Sequence, residues 1–318
     1  MTPADPEAMD PTTRPTTSDP TRDGKPDRMH SGTPIRFETR EGLGLAGDAW
    51  GDPGAPVVLL LHGGGQTRHA WAGSARALAA RGHRAIVIDQ RGHGESDWSP
   101  RGEYATDAYG RDLLDVIDQL GEAPTLVGAS LGGIASLLAI GEAGEHVARA
   151  LVLVDIATRM EPDGIQRIFE FMRMAPNGFA TLEEAAEAVA SYNPHRRKPS
   201  HPSGLARNLR RGEDGRWRWH WDPAFLEDRR EPGVTAVKYQ ESLDDIAASL
   251  SLPVLLVRGR ASDVLSEAGA RHFLDRVPHA AYADITDAGH MVAGDRNDVF
   301  SAAVLDFLAE LDAPRDEA

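Results

Sequence analysis

Residues 125–133 read Thr-Leu-Val-Gly-Ala-Ser-Leu-Gly-Gly, an apolar run followed by a serine with a glycine two residues away on each side. The composition of 125–128 is typical of a buried strand, and that of 131–143 is typical of a helix. Ser130 is therefore expected in a sharp turn from strand to helix. Such a turn exposes the hydroxyl, and it aims the amide of Leu131 and the positive end of the helix at the same place. We predict that Ser130 is a nucleophile and that Leu131 is one oxyanion donor.

The rest of the chain alternates short β-branched or leucine-rich runs with longer amphipathic segments, which is the pattern of parallel βαβ units. The first two runs flank a turn at 41–42 and predict a hairpin. Predicted strands are 35–39, 43–50, 57–61, 85–89, 125–128, 151–155, 254–257 and 281–285, and predicted helices are 71–80, 107–120, 131–143, 267–276 and 295–311. The sequence therefore predicts a layered α/β fold, with a mostly parallel eight-stranded sheet flanked by helices.

The alternation stops once, between the strands at 151–155 and 254–257. The loss of the alternating pattern predicts an inserted, mainly helical lid over 157–250, between core segments 34–156 and 251–318. Within it, Phe169 and Met172 share one face of a predicted helix, and Trp219 lies on the aromatic face of a strand-like piece. We expect these three side chains to contact a substrate, although packing of the lid on the core explains the same pattern.

Composition sets the class of protein. The chain has 318 residues, of which 41% are hydrophobic, enough for a large α/β core, and it contains no cysteine. Its formal net charge of −15 weighs against nucleic acids and anionic membranes as partners. No apolar run approaches the roughly twenty residues that span a bilayer, and no secretory signal is recognised. We expect a cytoplasmic protein whose first 33 residues, rich in Pro, Thr and Asp, form a disordered tail.

A serine nucleophile needs a base, and the base needs an acid that holds its tautomer. His290 follows the last predicted strand and is the predicted base. Asp263 follows the strand at 254–257, which gives the order Ser, Asp, His along the chain, and it is the predicted acid. Asp155, at the end of the preceding strand, is the alternative.

The second oxyanion donor is predicted in the residues 62–66, His-Gly-Gly-Gly-Gln, directly after the strand at 57–61. Three glycines let the backbone turn its amides inward, so we expect Gly64 to donate and Gly65 to border the substrate. The alternative is a glycine turn that serves only to reverse the chain. Histidines are scattered over different loops without a ligand spacing, so no metal and no cofactor is expected.

Four motifs together resemble the α/β-hydrolase superfamily: His-Gly-Gly-Gly at 62–65, Asp-Gln-Arg-Gly-His-Gly-Glu-Ser at 89–96, Gly-Ala-Ser-Leu-Gly at 128–132 and Gly-His at 289–290. The resemblance covers about 34–313 and is similar to the capped, cofactor-free branch with esterases, ring-cleavage-product hydrolases and perhydrolases. It implies a structural role for the 89–96 loop, His93 included. Because Ser130 stands where epoxide hydrolases carry an aspartate, it implies acyl chemistry.

The expected function is hydrolysis of a small-molecule carboxylic ester through an acyl-enzyme. Two alternatives keep the same triad: cleavage of a carbon–carbon bond in a ring-fission product, and perhydrolysis. A third is a ligand receptor on the same scaffold with weak turnover, which usually shows a broken triad. We expect a monomer or a homodimer.

Overall fold

The computed structural model describes residues 32–192, 202–227, 234–292 and 297–313. The predicted disordered tail lies outside these residues, apart from its last two positions. The strands are β1 (Thr33–Glu38), β2 (Gly44–Trp50), β3 (Val57–Leu61), β4 (Arg84–Ile88), β5 (Thr125–Ala129), β6 (Ala150–Val154), β7 (Leu209–Arg211), β8 (Trp217–Trp219), β9 (Val254–Gly259) and β10 (Ala281–Ile285). The helices are α1 (Ala72–Ala79), α2 (Thr106–Leu120), α3 (Leu131–Ala143), α4 (Pro162–Met172), α5 (Leu182–Tyr192), α6 (Val234–Ser249), α7 (Glu267–Arg276) and α8 (Asn297–Asp312).

Eight strands form one sheet in the order β1-β2-β4-β3-β5-β6-β9-β10. The strand β2 pairs antiparallel with β1 and with β4, and every other pair in this sheet is parallel. Parallel strands place their carboxyl ends at one edge, so the loops after β3, β5, β6, β9 and β10 gather there. The predicted α/β fold with a mostly parallel eight-stranded sheet is confirmed.

Helices cover both faces of this sheet, which explains why β3 and β6 are buried at every position. One face packs against α2, α3, α6 and α7 in a single apolar cluster that includes Leu137 and Phe273. The other face packs against α1 and α8, with Leu78 and Phe300 at its centre. Among the described residues, no helix combines the length and the apolar composition that crossing a bilayer requires.

The insertion between β6 and β9 carries α4, α5 and the short antiparallel hairpin β7–β8. We expected it to extend to residue 250, but α6 packs against α3 and α7, and its Leu243 and Ala247 belong to the core cluster. Helix α6 is thus one of the helices that cover the sheet. The name lid is kept for the rest of this insertion, which the structure describes over 157–192 and 202–227.

Candidate active site

Ser130 lies between the last residue of β5 and the first residue of α3. Its backbone has φ 45° and ψ −110°, a conformation that costs energy for a side chain with a Cβ and is held by the elements around it. The amide of Ser130 donates to the carbonyl of Val154 (3.3 Å), and its carbonyl accepts the first helical bond, from Ile134 (3.0 Å). The half-buried serine lines a large cavity. The predicted strand–turn–helix geometry is therefore present.

Close packing explains the glycine two residues after Ser130. A Cβ on Gly132 would stand 2.5 Å from the Cβ of Leu61 and 2.6 Å from its carbonyl oxygen. Only a glycine allows α3 to begin this close to β3. The turn at Ser130 and the end of β3 are thus held against each other.

His290 lies on the loop after β10, and its side chain lines the same cavity as Ser130. Its Nδ1 donates to Oδ2 of Asp155 over 2.7 Å. Asp155 is the first residue after β6, and its carboxylate has no exposed surface. That carboxylate also accepts from the amide of Gly259 (2.8 Å) and from the hydroxyl of Ser262 (2.5 Å). Three donors therefore hold one buried carboxylate in place behind the imidazole, which leaves Nε2 as the ring nitrogen available to a reacting hydroxyl.

The structure contradicts the prediction that Asp263 is the acid. Its side chain is 42% exposed and forms an ion pair with Arg167 of the lid (2.8 Å) instead of a bond to His290. In the loop after β9, it is Ser262 that faces inward and reaches Asp155, so its neighbour faces outward. The alternative acid, Asp155, has the geometry that the role needs.

The glycine loop, residues 62–66, follows β3 and borders the cavity. Nδ1 of His62 donates to the carbonyl of Gly63 over 2.8 Å. A trans peptide points its N–H opposite to its carbonyl, so the amide of Gly64 is directed away from His62. Gly64, Gly65 and Leu131 line the cavity together with Ser130. The two predicted oxyanion donors thus border the same space as the predicted nucleophile.

The 89–96 loop is built around buried ion pairs. Arg68 contacts Asp48 (2.7 Å) and Asp89, and Arg91 binds Asp112 through two hydrogen bonds of 2.6 Å. His93 has no exposed surface, and its Nε2 accepts from the amide of Gly65 (3.1 Å). This loop therefore supports the glycine loop through the bond from Gly65 to His93, which is the structural role that the resemblance implied.

The cavity has a volume of about 1660 Å³, and the lid supplies much of its wall. The predicted substrate-contacting residues Gly65, Phe169, Met172 and Trp219 all line it. Further apolar side chains line it too: Ile134, Ile165, Ile168, Phe171, Tyr192, Trp221 and Phe225. Over the described ranges, no three side chains of the His, Asp or Glu type are arranged to hold a metal ion.

No sequence motif singles out Ser262, His220 or Phe225, although each contributes to this region. Ser262 directly precedes Asp263, the predicted acid. His220 interrupts the row of tryptophans at 217, 219 and 221 and so falls on the opposite face of the strand-like piece, which is the one signal that was available. Phe225 covers the glycine loop closely enough that a Cβ added at Gly64 would lie 3.3 Å from its ring.

Comparison with known families agrees with this geometry. A family model described as the alpha/beta hydrolase fold matches residues 56–296. The chain belongs to the α/β-hydrolase family. This α/β hydrolase is 30% identical to the esterase Rv0045c of Mycobacterium tuberculosis over 258 residues, which cover 78% of this chain and 80% of the relative. It is 29% identical to the 3-hydroxybutyrate-oligomer hydrolase of Cupriavidus necator over 260 residues, covering 77% and 86% of the two chains.

Solved structures resemble the α/β hydrolase over nearly the same length. The structure of the Mycobacterium tuberculosis esterase superimposes with a TM-score of 0.69 at 26% identity, covering 88% of this chain and 92% of the other. An E-2-(acetamidomethylene)succinate hydrolase gives a TM-score of 0.76 at 22% identity, covering 87% and 98%, and it supports the fold alone. The predicted enzyme class, a hydrolase of ester bonds, is confirmed by the esterase relatives.

Proposed function

We propose that this α/β hydrolase cleaves a carboxylic ester through an acyl-enzyme on Ser130. His290 takes the proton of the Ser130 hydroxyl as it attacks the ester carbonyl carbon. Asp155 holds the imidazole in one tautomer and stabilises the imidazolium that forms. The observation that carries this proposal is the 2.7 Å bond between His290 and the buried Asp155, behind a cavity that Ser130 also lines.

The negative oxygen of the tetrahedral intermediate is stabilised by the amides of Gly64 and Leu131. His290 then gives its proton to the leaving alcohol, and the carbon–oxygen bond breaks. A water molecule attacks the acyl-enzyme, again with His290 as base, and releases the acid and the free serine. Fixed amide dipoles in an enclosed site stabilise this charge without reorganising during the reaction.

The cavity wall supports an apolar substrate class. Aromatic and aliphatic side chains of the lid, such as Phe169 and Trp219, dominate the surface above Ser130. A volume of about 1660 Å³ exceeds the roughly 300–1,000 Å³ of ordinary small-molecule pockets. We therefore assign an ester with a sizeable apolar acyl or alcohol part in preference to an acetyl ester of a polar alcohol.

A nitrophenyl ester series from acetyl to dodecanoyl tests both parts of the proposal. We expect kcat/KM to rise with chain length to a maximum beyond butyryl, and Ser130→Ala to lose at least about 10⁴-fold in kcat. A fluorophosphonate probe should label the wild type and Ser249→Ala, an exposed serine on α6, but not Ser130→Ala. Labelling or hydrolysis that survives in Ser130→Ala would overturn the mechanism. Turnover of ring-fission diketones but of no ester would overturn the substrate class.

A further inference from the structure

Three consecutive peptide groups of the glycine loop each have a histidine partner. His62 binds the carbonyl of Gly63, in the peptide that carries the Gly64 amide. His93 accepts from the amide of Gly65, which belongs to the next peptide. The carbonyl of Gly65, in the third peptide, faces Nε2 of His220 over 3.4 Å. Since a planar peptide has only its two flanking torsions to rotate about, the three contacts together determine where the Gly64 amide points.

The third histidine differs from the others because it comes from the lid. His220 directly follows β8 and is 2% exposed. Its Nδ1 accepts from the amide of Gly94 in the 89–96 loop over 2.7 Å, so the proton of the neutral ring lies on Nε2, toward Gly65. The His220 ring also lies beside that of His93, with ring centroids 5.8 Å apart. One lid residue therefore joins the glycine loop to the loop that braces it.

Other lid side chains lie close to Gly64 and Gly65. A Cβ on Gly65 would be 3.0 Å from the terminal methyl carbon of Met172 and 3.4 Å from the ring of Trp221, and one on Gly64 would be 3.3 Å from Phe225. In addition, Arg210 of β7 donates to the carbonyl of Gly94, the residue whose amide His220 binds. The glycine loop thus has lid side chains on one side, and on the core side it is bound by His62 and His93.

We infer that His220 is a positioning residue, through which the docked lid sets the orientation of the oxyanion donor at Gly64. This inference rests on the proposed function, in which that amide binds the oxyanion. It makes the lid part of the machinery that stabilises the transition state, in addition to its part in the wall of the substrate cavity. The expected consequence is that losing His220 weakens binding of the tetrahedral state more than binding of the ester.

Two substitutions of His220 test the inference. His220→Asn keeps an acceptor near Gly94 but is too short to reach Gly65, whereas His220→Gln reaches toward Gly65 and gives up the bond to Gly94. A matched control is His272→Asn, because His272 is a half-buried histidine bonded to Asp244 (2.9 Å) between α7 and α6. All three changes remove hydrogen bonds of a histidine, but only the first two touch the active site.

We expect kcat for a nitrophenyl ester to fall about ten- to a hundredfold in His220→Asn and less in His220→Gln, with KM within about twofold of wild type. The affinity for a phenylboronic acid, which forms a tetrahedral adduct on serine, should fall in parallel. His272→Asn should lower the thermal midpoint and leave kcat and boronate affinity unchanged.

Either folded variant of His220 with wild-type kcat and boronate affinity overturns the inference, as does an equal loss in His272→Asn. Hydrogen exchange separates this failure from failure of the proposed function. If the wild type hydrolyses no ester, the proposed function fails, and the amides of 63–66 still report on His220. We expect them to exchange faster in His220→Asn than in wild type, and unchanged exchange would overturn the inference on its own.

Discussion

At the scale of single residues, the choice of Asp155 as the proposed acid depends on a detail that the sequence does not encode locally. Asp155 and Asp263 both follow strands whose carboxyl ends lie at the edge of the sheet that carries the candidate site, and both precede His290 in the chain. The loop after β9 decides between them, because it turns Ser262 inward and Asp263 outward. The position of Ser130 and His290 at one cavity was easier to predict, since each has its own motif directly beside a regular element.

Asparagine substitution at both aspartates tests this assignment. Asp155→Asn should lower kcat by about 10³- to 10⁴-fold, because the imidazole loses the carboxylate that fixes its tautomer and stabilises its charge. Asp263→Asn removes only a surface ion pair with Arg167 and should keep kcat within twofold of wild type. Steady-state kinetics on a nitrophenyl ester give both values. A large loss in Asp263→Asn with none in Asp155→Asn would reverse the assignment.

The buried His220 also predicts a pH dependence of stability. The pKa of the His220 imidazole is lowered to about 3, mainly by burial and also by the charges of His62 and Arg210, while Asp89 and the bond to Gly65 oppose the shift. Between about pH 6.5 and 3 the unfolded chain therefore binds a proton at this histidine that the folded chain does not. This histidine therefore does not change the free energy of unfolding above about pH 6.5, and it lowers the free energy of unfolding progressively as the pH falls toward about 3.

Urea titrations at pH 7, 6, 5 and 4 measure this contribution. Relative to wild type, His220→Asn should lose less stability with falling pH, by up to about 1.4 kcal/mol per pH unit. The exposed His146 provides the control, and His146→Asn should keep the wild-type slope. Parallel pH profiles for wild type and His220→Asn would show that the buried ring titrates normally.

At the scale of elements, the sheet was predictable because its strands are buried on both faces and are separated by amphipathic helices. The run at 57–61 coincides with β3, and the helices at 131–143 and 267–276 coincide with α3 and α7. The predicted lid wrongly included α6, because periodicity shows that a helix has an apolar face but not which layer of the fold that face packs against. The start of the helix predicted at 295–311 falls partly outside the described residues, which resume at Asn297.

The junction of β3, β5 and α3 depends on the missing side chain at Gly132. Gly132→Ala would place its methyl group 2.5 Å from the Cβ of Leu61 and 2.6 Å from its carbonyl oxygen, so we expect a loss of about 1–3 kcal/mol in the free energy of unfolding. Gly54→Ala is the control, because Gly54 is exposed and its nearest neighbour would be 3.5 Å away. Urea denaturation of both variants gives the comparison. Equal stability of the two would show that α3 can shift away from β3 at little cost.

At the scale of the whole molecule, one group of polar contacts between the lid and the core is centred on Asp222. Asp222 of the lid accepts from the hydroxyl of Tyr104 over 2.6 Å, and its amide donates to the carbonyl of Gly92 (2.9 Å). The Tyr104 hydroxyl in turn accepts from the amide of Ser99 (2.8 Å) and has no exposed surface. These contacts connect the lid directly to the 89–96 loop, which supports the glycine loop. Any opening of the lid at this point would have to break the buried hydrogen bond between Tyr104 and Asp222.

Removing that bond should loosen the lid without loosening the sheet. Tyr104→Phe leaves a buried carboxylate and a buried amide each short of a partner, which costs about 1–3 kcal/mol, so exchange of the lid amides at 202–227 should accelerate about tenfold or more. The strands β5 and β6 should exchange as in wild type, because their hydrogen bonds open only when the core does. Tyr282→Phe, on the edge strand β10 and 40% exposed, should change neither region. Acceleration that is equal in the lid and in β5 and β6 would mean that lid and core open as one cooperative unit, and the lid could then not move separately to admit an ester.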